Sequence, residues 1–369
     1  MQANWYQIHN IEEIDSPALV IYPERVKENI TLLTRMIDDP QRLRPHAKTH
    51  KSKEATQLLM AAGIGKFKCA TIAEAEMLAM CGAPDVVLAY QPVGPKLQRL
   101  VTLTLQYPGT QFACLVDNVT SAAAIASAFA AANAVITVYI DLNVGQNRTG
   151  IPPGEEAVAL YNYCAQTNGL SIAGLHAYDG HSRGTLEERT ATSNEAFARA
   201  ETLKATLQSL GYSDIKIIAG GSPSFPIHAK REAVECSPGT FIFWDKSYLD
   251  QCTEQPFQVA ALVVTRVVSL PNADHICVDL GHKSIAAENE IGKRVFFPDA
   301  PALKAVSQSE EHLVLYAGEG HSFKPGDVLY GIPQHVCPTI ALYERAYTVE
   351  HGKVSGEWMI VARDRKIQF

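Results

Sequence analysis

VITVYIDLNVGQNRTGIPPGEEAVALYNYCAQTNGLSIAGLH, residues 135–176, holds one full copy of the pattern that decides the fold. An apolar, β-branched run at 135–142 leads into a loop punctuated by Gly and Pro. An amphipathic stretch at 155–167 follows, then a second apolar run at 172–176. Strand, helix and strand in that order imply two parallel strands joined by a crossover helix. Outward from this unit, strand-like runs recur at 43–47, 67–70, 86–89, 112–116 and 215–219, with another near 233–236. Helix-like segments fall between them, at 52–62, 72–81, 122–132 and 186–210. Eight strands within about 220 residues favour a closed, TIM-like (β/α)8 barrel. Periodicity cannot show closure, so a doubly wound open sheet is the alternative.

Beyond residue 244 the texture changes. The runs 259–269, 273–279, 311–316, 327–331 and 358–363 are β-rich, with Gly, Pro and Asn turns and little helix. This predicts a separate C-terminal β domain. A strand-like stretch at 16–22 precedes the first barrel helix and is placed to cross over to that domain. The expected division is a barrel at 23–245 and a β domain made from 1–22 and 246–369.

Composition narrows the function classes. The chain has 369 residues, 47% hydrophobic and 19% charged, which allows a sizeable core. A net charge of −7 gives no strong basic field, so no nucleic-acid partner is expected. No uninterrupted apolar run is long enough to span a membrane, and residues 1–15 are polar, so neither an anchor nor a signal peptide is expected. The 8 cysteines are scattered without a C-x-x-C pair, as in reduced thiols of a cytoplasmic protein.

In a barrel of this kind the chemistry gathers past the C-terminal ends of the strands. Lys48 closes the first apolar run. A partly desolvated amine there is a nucleophile able to form an imine; the plainer reading is an exposed lysine in a basic loop with Lys51 and Lys53. Gly220-Gly221-Ser222 and Gly239-Thr240 follow the seventh and eighth strands. Their amides and hydroxyls suit a phosphate, or else they are two tight turns. Arg148 lies in a Gly-flanked loop, where it could meet an anionic ring oxygen or a surface carboxylate. His335 and Cys337 lie between Pro333 and Pro338. Period-two spacing would put both on one face of an extended segment, a soft pair suited to zinc. A core cysteine beside a partly buried histidine is the other reading.

Taken together, these pieces resemble a known family. The run Arg44-Pro45-His46-Ala47-Lys48-Thr49-His50-Lys51 resembles the lysine motif of the D-threonine aldolase and D-serine dehydratase family, within the alanine racemase-like group. Gly145-Gln146-Asn147-Arg148-Thr149-Gly150 is similar to that group's G-x-N-R-x-G loop. His176-Ala177-Tyr178-Asp179-Gly180-His181 and Pro333-Gln334-His335-Val336-Cys337-Pro338-Thr339 look like its later signatures. The resemblance covers nearly the whole chain. It implies pyridoxal 5'-phosphate bound through Lys48, with Arg148 on the phenolic oxygen side, Tyr178 near the ring, and Gly221, Ser222, Gly239 and Thr240 on the phosphate. It also implies a divalent metal on His335 and Cys337 beside the substrate's β-hydroxyl: zinc, or else manganese or magnesium. A homodimer is implied too. The family's aldolases carry His-x-Asp at the metal and its dehydratases His-x-Cys, so this chain resembles the dehydratases there.

The implied activity is that of a lyase on a small D-configured 3-hydroxy amino acid. It would act by dehydration, as on D-serine or D-3-hydroxyaspartate, or by aldol cleavage, as on D-threonine. Lys48 is the simplest base once freed, and His181, with His46 and His176, is a candidate for proton transfer. A racemase needs no metal and needs a second base. A non-catalytic pyridoxal-phosphate carrier would resemble the barrel alone, which the additional β domain argues against.

Overall fold

The computed structural model describes residues 4–369, which fold as two compact units. One comprises Leu33–Lys48, Thr56–Gly239 and Asp364–Phe369; the other comprises the chain up to Leu32, Thr49–Ala55 and Thr240–Arg363. The chain begins with β1 (Ala18–Ile21), α1 (Pro23–Arg35) and α2 (Lys53–Ala61). Strand and helix then alternate: β2 (Lys66–Cys69), α3 (Ile72–Met80), β3 (Asp85–Leu88), α4 (Pro95–Gln106), β4 (Gln111–Val116) and α5 (Val119–Ala131). The alternation continues through β5 (Ile136–Asp141), α6 (Glu155–Gln166), β6 (Leu170–Ala177), α7 (Leu186–Ser209), β7 (Lys216–Ala219), α8 (Phe225–His228) and β8 (Val234–Cys236).

Strands β2 to β8 form one parallel sheet in chain order. Its two edges meet through residues 43–47, where Leu43 bridges Cys236 of β8 and His46 bridges Lys68 of β2, both parallel. The Arg44 amide donates to the Cys236 carbonyl (2.8 Å), the Ala47 amide to that of Lys68 (2.8 Å), and the Lys68 amide to that of Pro45 (2.9 Å). The sheet therefore curls round and closes through an eighth, strand-like segment. Pro45 has no N–H to give, which is why this segment is a set of bridges and not a regular strand. Inside the curl, Val87, Ala113, Leu115, Tyr139 and Ile218 pack together.

A four-charge network spans the seam. The Arg44 side chain is fully buried; its Nε meets Glu235 Oε2 at 2.7 Å and its Nη1 meets Asp85 Oδ1 at 2.6 Å. Lys66 Nζ meets the other Glu235 oxygen at 2.6 Å. Burial alone would raise the Glu235 carboxyl, but Arg44 and Lys66 outweigh it and hold it below the ordinary range. These charges come from 43–47, β2 and β8, which meet where the sheet closes, and from β3 beside β2.

Helix starts sit just past strand ends. Thr71, Asn118 and Thr185 accept hydrogen bonds from the Glu74, Ser121 and Glu188 amides of α3, α5 and α7. Each such cap is worth about 1 kcal/mol, and Thr71 and Asn118 leave room only for short loops between strand and helix.

The second unit continues with α9 (Lys246–Gln251), β9 (Ala261–Asn272), β10 (His275–Val278), β11 (Val295–Phe296), β12 (Lys304–Gln308) and β13 (Leu313–Tyr316). It ends with β14 (Val328–Pro333), α10 (Val336–Ile340), β15 (Arg345–Glu350) and β16 (Lys353–Met359). The sheet order is β12-β13-β10-β9-β1-β15-β16, and β14 pairs with both β9 and β11. Pairing is antiparallel except where β1 runs parallel to β15. The first half of β9 is buried on both faces: Leu262 and Val264 pack with Val20 and Tyr330, while Val263 and Val267 pack with Ile276 and Leu315.

The 358–363 run is not a strand along its length. β16 stops at Met359, and Val361–Arg363 is a 3-10 turn. The strands β12 and β15 carry no strong alternation and are not apparent in the sequence. His335 and Cys337 do not lie on an extended segment either, because the helix α10 starts at Val336. A proline within a helix's first turn forfeits no intrahelical bond, so Pro338 does not prevent it. The Asp245 carboxylate accepts the Val336 amide (3.1 Å) and so caps that helix from outside it.

Candidate active site

A cavity of about 500 Å³ opens in the barrel unit. Lys48 lines it from the end of 43–47, Lys68 from β2, Asp141 from β5, His176 from β6, and Tyr178, Arg148 and Thr149 from the loops that follow. His46 lines it as well. The strands' C-terminal ends thus bring Lys48, Arg148 and Tyr178 to one space. His181 is not among the lining residues. It packs against Gly145, at which an added Cβ would stand 2.6 Å from His181 Nε2.

Asp141 and His176 form a buried pair, with His176 Nδ1 donating to Asp141 Oδ1 at 2.7 Å. Burial and the nearby Lys68 charge lower the His176 imidazole, while Asp141 pulls it back up. A neutral ring that donates from Nδ1 leaves a lone pair on Nε2, and Nε2 is buried without a partner. An orphaned acceptor on a cavity wall marks a place for a bound group. Asp117 ties the next loop down: it accepts the Gly150 amide at 3.1 Å, while its own amide is held by Gln91 (2.9 Å). That brace fixes the base of the loop carrying Arg148.

The two glycine segments meet. The Gly239 amide donates to Ser222 Oγ at 3.1 Å. Gly220 adopts a left-handed φ of +73°, and a Cβ there would stand 2.5 Å from His228 Cδ2. Behind it, Ser224 Oγ accepts from the Gly221 amide (3.3 Å) and donates to Asp179 (2.7 Å), whose other oxygen accepts from His228 Nε2 (2.9 Å). A Cβ on Gly221 would press on Tyr178 Cε2 at 3.0 Å. Ser237 Oγ, just past β8, is buried without a partner.

In the second unit, His335 Nδ1 meets Glu288 Oε1 at 2.6 Å, and the ring also hydrogen-bonds the Cys337 side chain. The Cys337 sulfur lies 3.2 Å from Thr49 Oγ1 and 3.7 Å from the hydroxyl of Thr240, the residue after Gly239. Burial would lower the His335 imidazole, but Cys337, Glu288 and Asp245 outweigh it and raise it to about 9. A carboxylate behind an imidazole is the usual support for a metal-bound histidine. Among the described residues no group of three or more His, Cys, Asp or Glu side chains is arranged to hold a metal ion. The pair would therefore supply two ligands and leave the other positions open.

Sequence reasoning passed over Lys68, Asp117, Asp179 and Glu288. Asp117 and Asp179 stand just past strand-like runs, where the strand-end rule looks, whereas Lys68 lies inside such a run and Glu288 left no local signal.

Residues 21–247 match the model of the alanine racemase N-terminal domain, and residues 260–349 match a putative serine dehydratase domain. A D-threonine aldolase of an Arthrobacter species is 29% identical over 361 residues, covering 96% of this chain and 94% of that protein. The crystal structure of the D-threonine aldolase from Filomicrobium marinum superposes with a TM-score of 0.88 at 28% identity, covering 98% of each chain. A cysteine-to-alanine mutant of a D-threo-3-hydroxyaspartate dehydratase, described as metal-free, superposes at 0.80 with 23% identity, covering 94% of this chain and 97% of the other.

Proposed function

This chain belongs to the alanine racemase N-terminal domain family, and from that premise we propose that it is a pyridoxal-phosphate-dependent lyase acting at Cβ of a D-configured 3-hydroxy amino acid. The observation that carries the reading is Lys48 at a strand end, opening into a cavity it shares with Arg148, Tyr178 and the orphaned Nε2 of His176. The whole-length similarity to D-threonine aldolases supports it, both in sequence and in fold.

Bound pyridoxal phosphate supplies a carbonyl carbon for an amine and an electron sink for the bond that breaks. Lys48 Nζ would hold that carbon. With substrate bound, Lys48 Nζ would be the group placed to take a proton, from Cα in dehydration or from the β-hydroxyl in aldol cleavage. Arg148 would face the ring oxygen, and His176, fixed by Asp141, would accept a hydrogen bond at Nε2. Gly221, Ser222 and Gly239 would hold the phosphate. The orphaned Ser237 Oγ and the bare Cα of Gly221 fit such a group. His335 and Cys337 would hold a divalent ion, zinc in the first instance, that supplies Lewis acidity to a hydroxyl. We take the working form to be a cytoplasmic homodimer. Eight free cysteines suit a reducing compartment. Among the described residues no helix is long and apolar enough to cross a membrane.

The test is product analysis on both enantiomers of threonine, serine and 3-hydroxyaspartate. D-isomers should be consumed and L-isomers spared. Aldehyde with glycine indicates carbon–carbon cleavage; ammonia with a keto acid indicates dehydration. A chelator should slow the reaction without bleaching the cofactor, and zinc, manganese or magnesium should restore it. Interconversion of D- and L-isomers with neither product set would overturn the reading in favour of a racemase.

Gly221→Val isolates the phosphate corner. The added methyls would drive into Tyr178, so affinity for pyridoxal phosphate should drop about tenfold, the loss of roughly one charge-assisted hydrogen bond. Equilibrium dialysis measures it, and an unchanged affinity would place the phosphate elsewhere.

A further inference from the structure

We propose that Lys68 is a second anion-contacting amine of the cavity and that, with Arg148, it receives the anionic ring oxygen of the bound cofactor. The inference rests on the pyridoxal-phosphate reading above.

The register of the sheet places Lys68. It pairs with Val87 of β3, and Val87's neighbour on β4 is Ala113. Paired residues in a sheet point to the same face. Val87 and Ala113 belong to the apolar packing inside the curl, so Lys68 carries a charge where its neighbours are apolar. It is only 3% exposed. Burying an ammonium is costly unless an anion meets it.

The nearby carboxylates are engaged elsewhere. Lys66, two residues earlier and on the same face, is met by Glu235. Asp141 is hydrogen-bonded to His176, and Asp179 to Ser224 and His228. Both carboxylates act on Lys68 through space. Burial, and then the charge of Lys48, lower the Lys68 amine to about 7 against the pull of Asp141. An anion entering the cavity would reverse that balance and keep the ammonium charged.

The identity of the anion follows from the neighbours. Lys48 is close enough to shift Lys68 by its charge, and both line the same cavity. Lys68 Nζ and Arg148 Cζ stand 5.3 Å and 5.1 Å from the centre of the Tyr178 ring. In pyridoxal phosphate the ring oxygen sits on the carbon next to the one bearing the formyl group. An oxygen there lies beside whatever surrounds Lys48 Nζ, which here includes a second amine.

The test compares full-length apoprotein binding to pyridoxal phosphate and to its 3-deoxy analogue, which keeps the formyl and phosphate groups but lacks that oxygen. Wild-type protein should prefer pyridoxal phosphate. Lys68→Met should weaken pyridoxal phosphate about tenfold or more, as expected for one charge-assisted contact, and leave the analogue unchanged. Lys68→Arg should preserve the preference. Lys68→Gln provides a second neutral variant if the methionine protein does not fold. Equal weakening of both ligands, or of neither, would make Lys68 a packing residue and overturn the inference alone. A wild-type protein that bound neither ligand would overturn the cofactor reading and this inference together.

Discussion

Lys48→Ala is expected to yield a folded protein whose lyase activity is lower by roughly a thousandfold or more, because one side chain supplies both the covalent handle and the base. Lys48 follows the bridge segment 43–47 and is only partly buried, so its removal leaves the apolar packing of Val87, Ala113, Leu115, Tyr139 and Ile218 in place. Circular dichroism should match wild type. Borohydride treatment of the yellow wild-type protein should fix the cofactor to one peptide, that of Lys48, and the alanine variant should take up no label. The informative failure is a label on Lys68, the other amine of the cavity. That result would exchange the roles of the two lysines.

The second large effect is on stability. Arg44→Met keeps much of the side-chain volume but leaves Glu235 and Asp85 facing a seam with one cation fewer. Removing one partner of a buried ion network costs about 3–5 kcal/mol; Asp85 retains some solvent contact, so the lower end is expected. Chemical denaturation of the two proteins measures it. The pH dependence carries a sign. Glu235 is held below the ordinary carboxylate range, so its contribution is present above the unfolded pKa and is lost as pH falls through the folded one. In the variant the carboxylate has lost Arg44, and protonation relieves it. The gap between variant and wild type should therefore narrow on acidification. A gap that stays constant with pH would mean that Arg44 acts by packing.

The sequence reveals much of this architecture because parallel strands with crossover helices leave a strong local imprint. Each apolar run from β2 to β7 is followed by its own turn and helix, so the alternation survives without tertiary knowledge. Lys48 and Arg148 could be picked out because a barrel puts chemistry at strand ends, while Tyr178 was named only through the family resemblance. What escaped depends on pairing across the chain. Arg44 reads as part of a basic motif, and only the register of 43–47 against β2 and β8 shows it to be the centre of a buried network. Glu288 lies 47 residues from His335, a separation that no local pattern encodes. The His335–Cys337 pair was visible, but its backbone was misread, because the carboxylate that caps α10 comes from Asp245. Lys68 was overlooked for the opposite reason: a lysine in a short run reads as a strand edge, and only the pairing with Val87 turns it inward.

The placement of β1 bears on how the polypeptide is born. Val20 pairs with Leu262 of β9 and with Tyr347 of β15. A ribosome delivers the amino terminus first and completes the whole run through β8 before either partner emerges. Throughout that interval Ala18–Ile21, entirely buried in the finished sheet, has no partner strand to cover it. The strand pairings of 43–47 and β2 to β8 all lie before Gly239 and can form while synthesis continues, with Asp364–Phe369 joining that unit last. Closure of the barrel sheet joins Leu43 to Cys236, but the pairings of β1 span still more of the chain and must wait longest for synthesis. Truncation between Gly239 and β9 would leave that segment with neither partner strand, a sticky β edge beside a complete set of barrel strands.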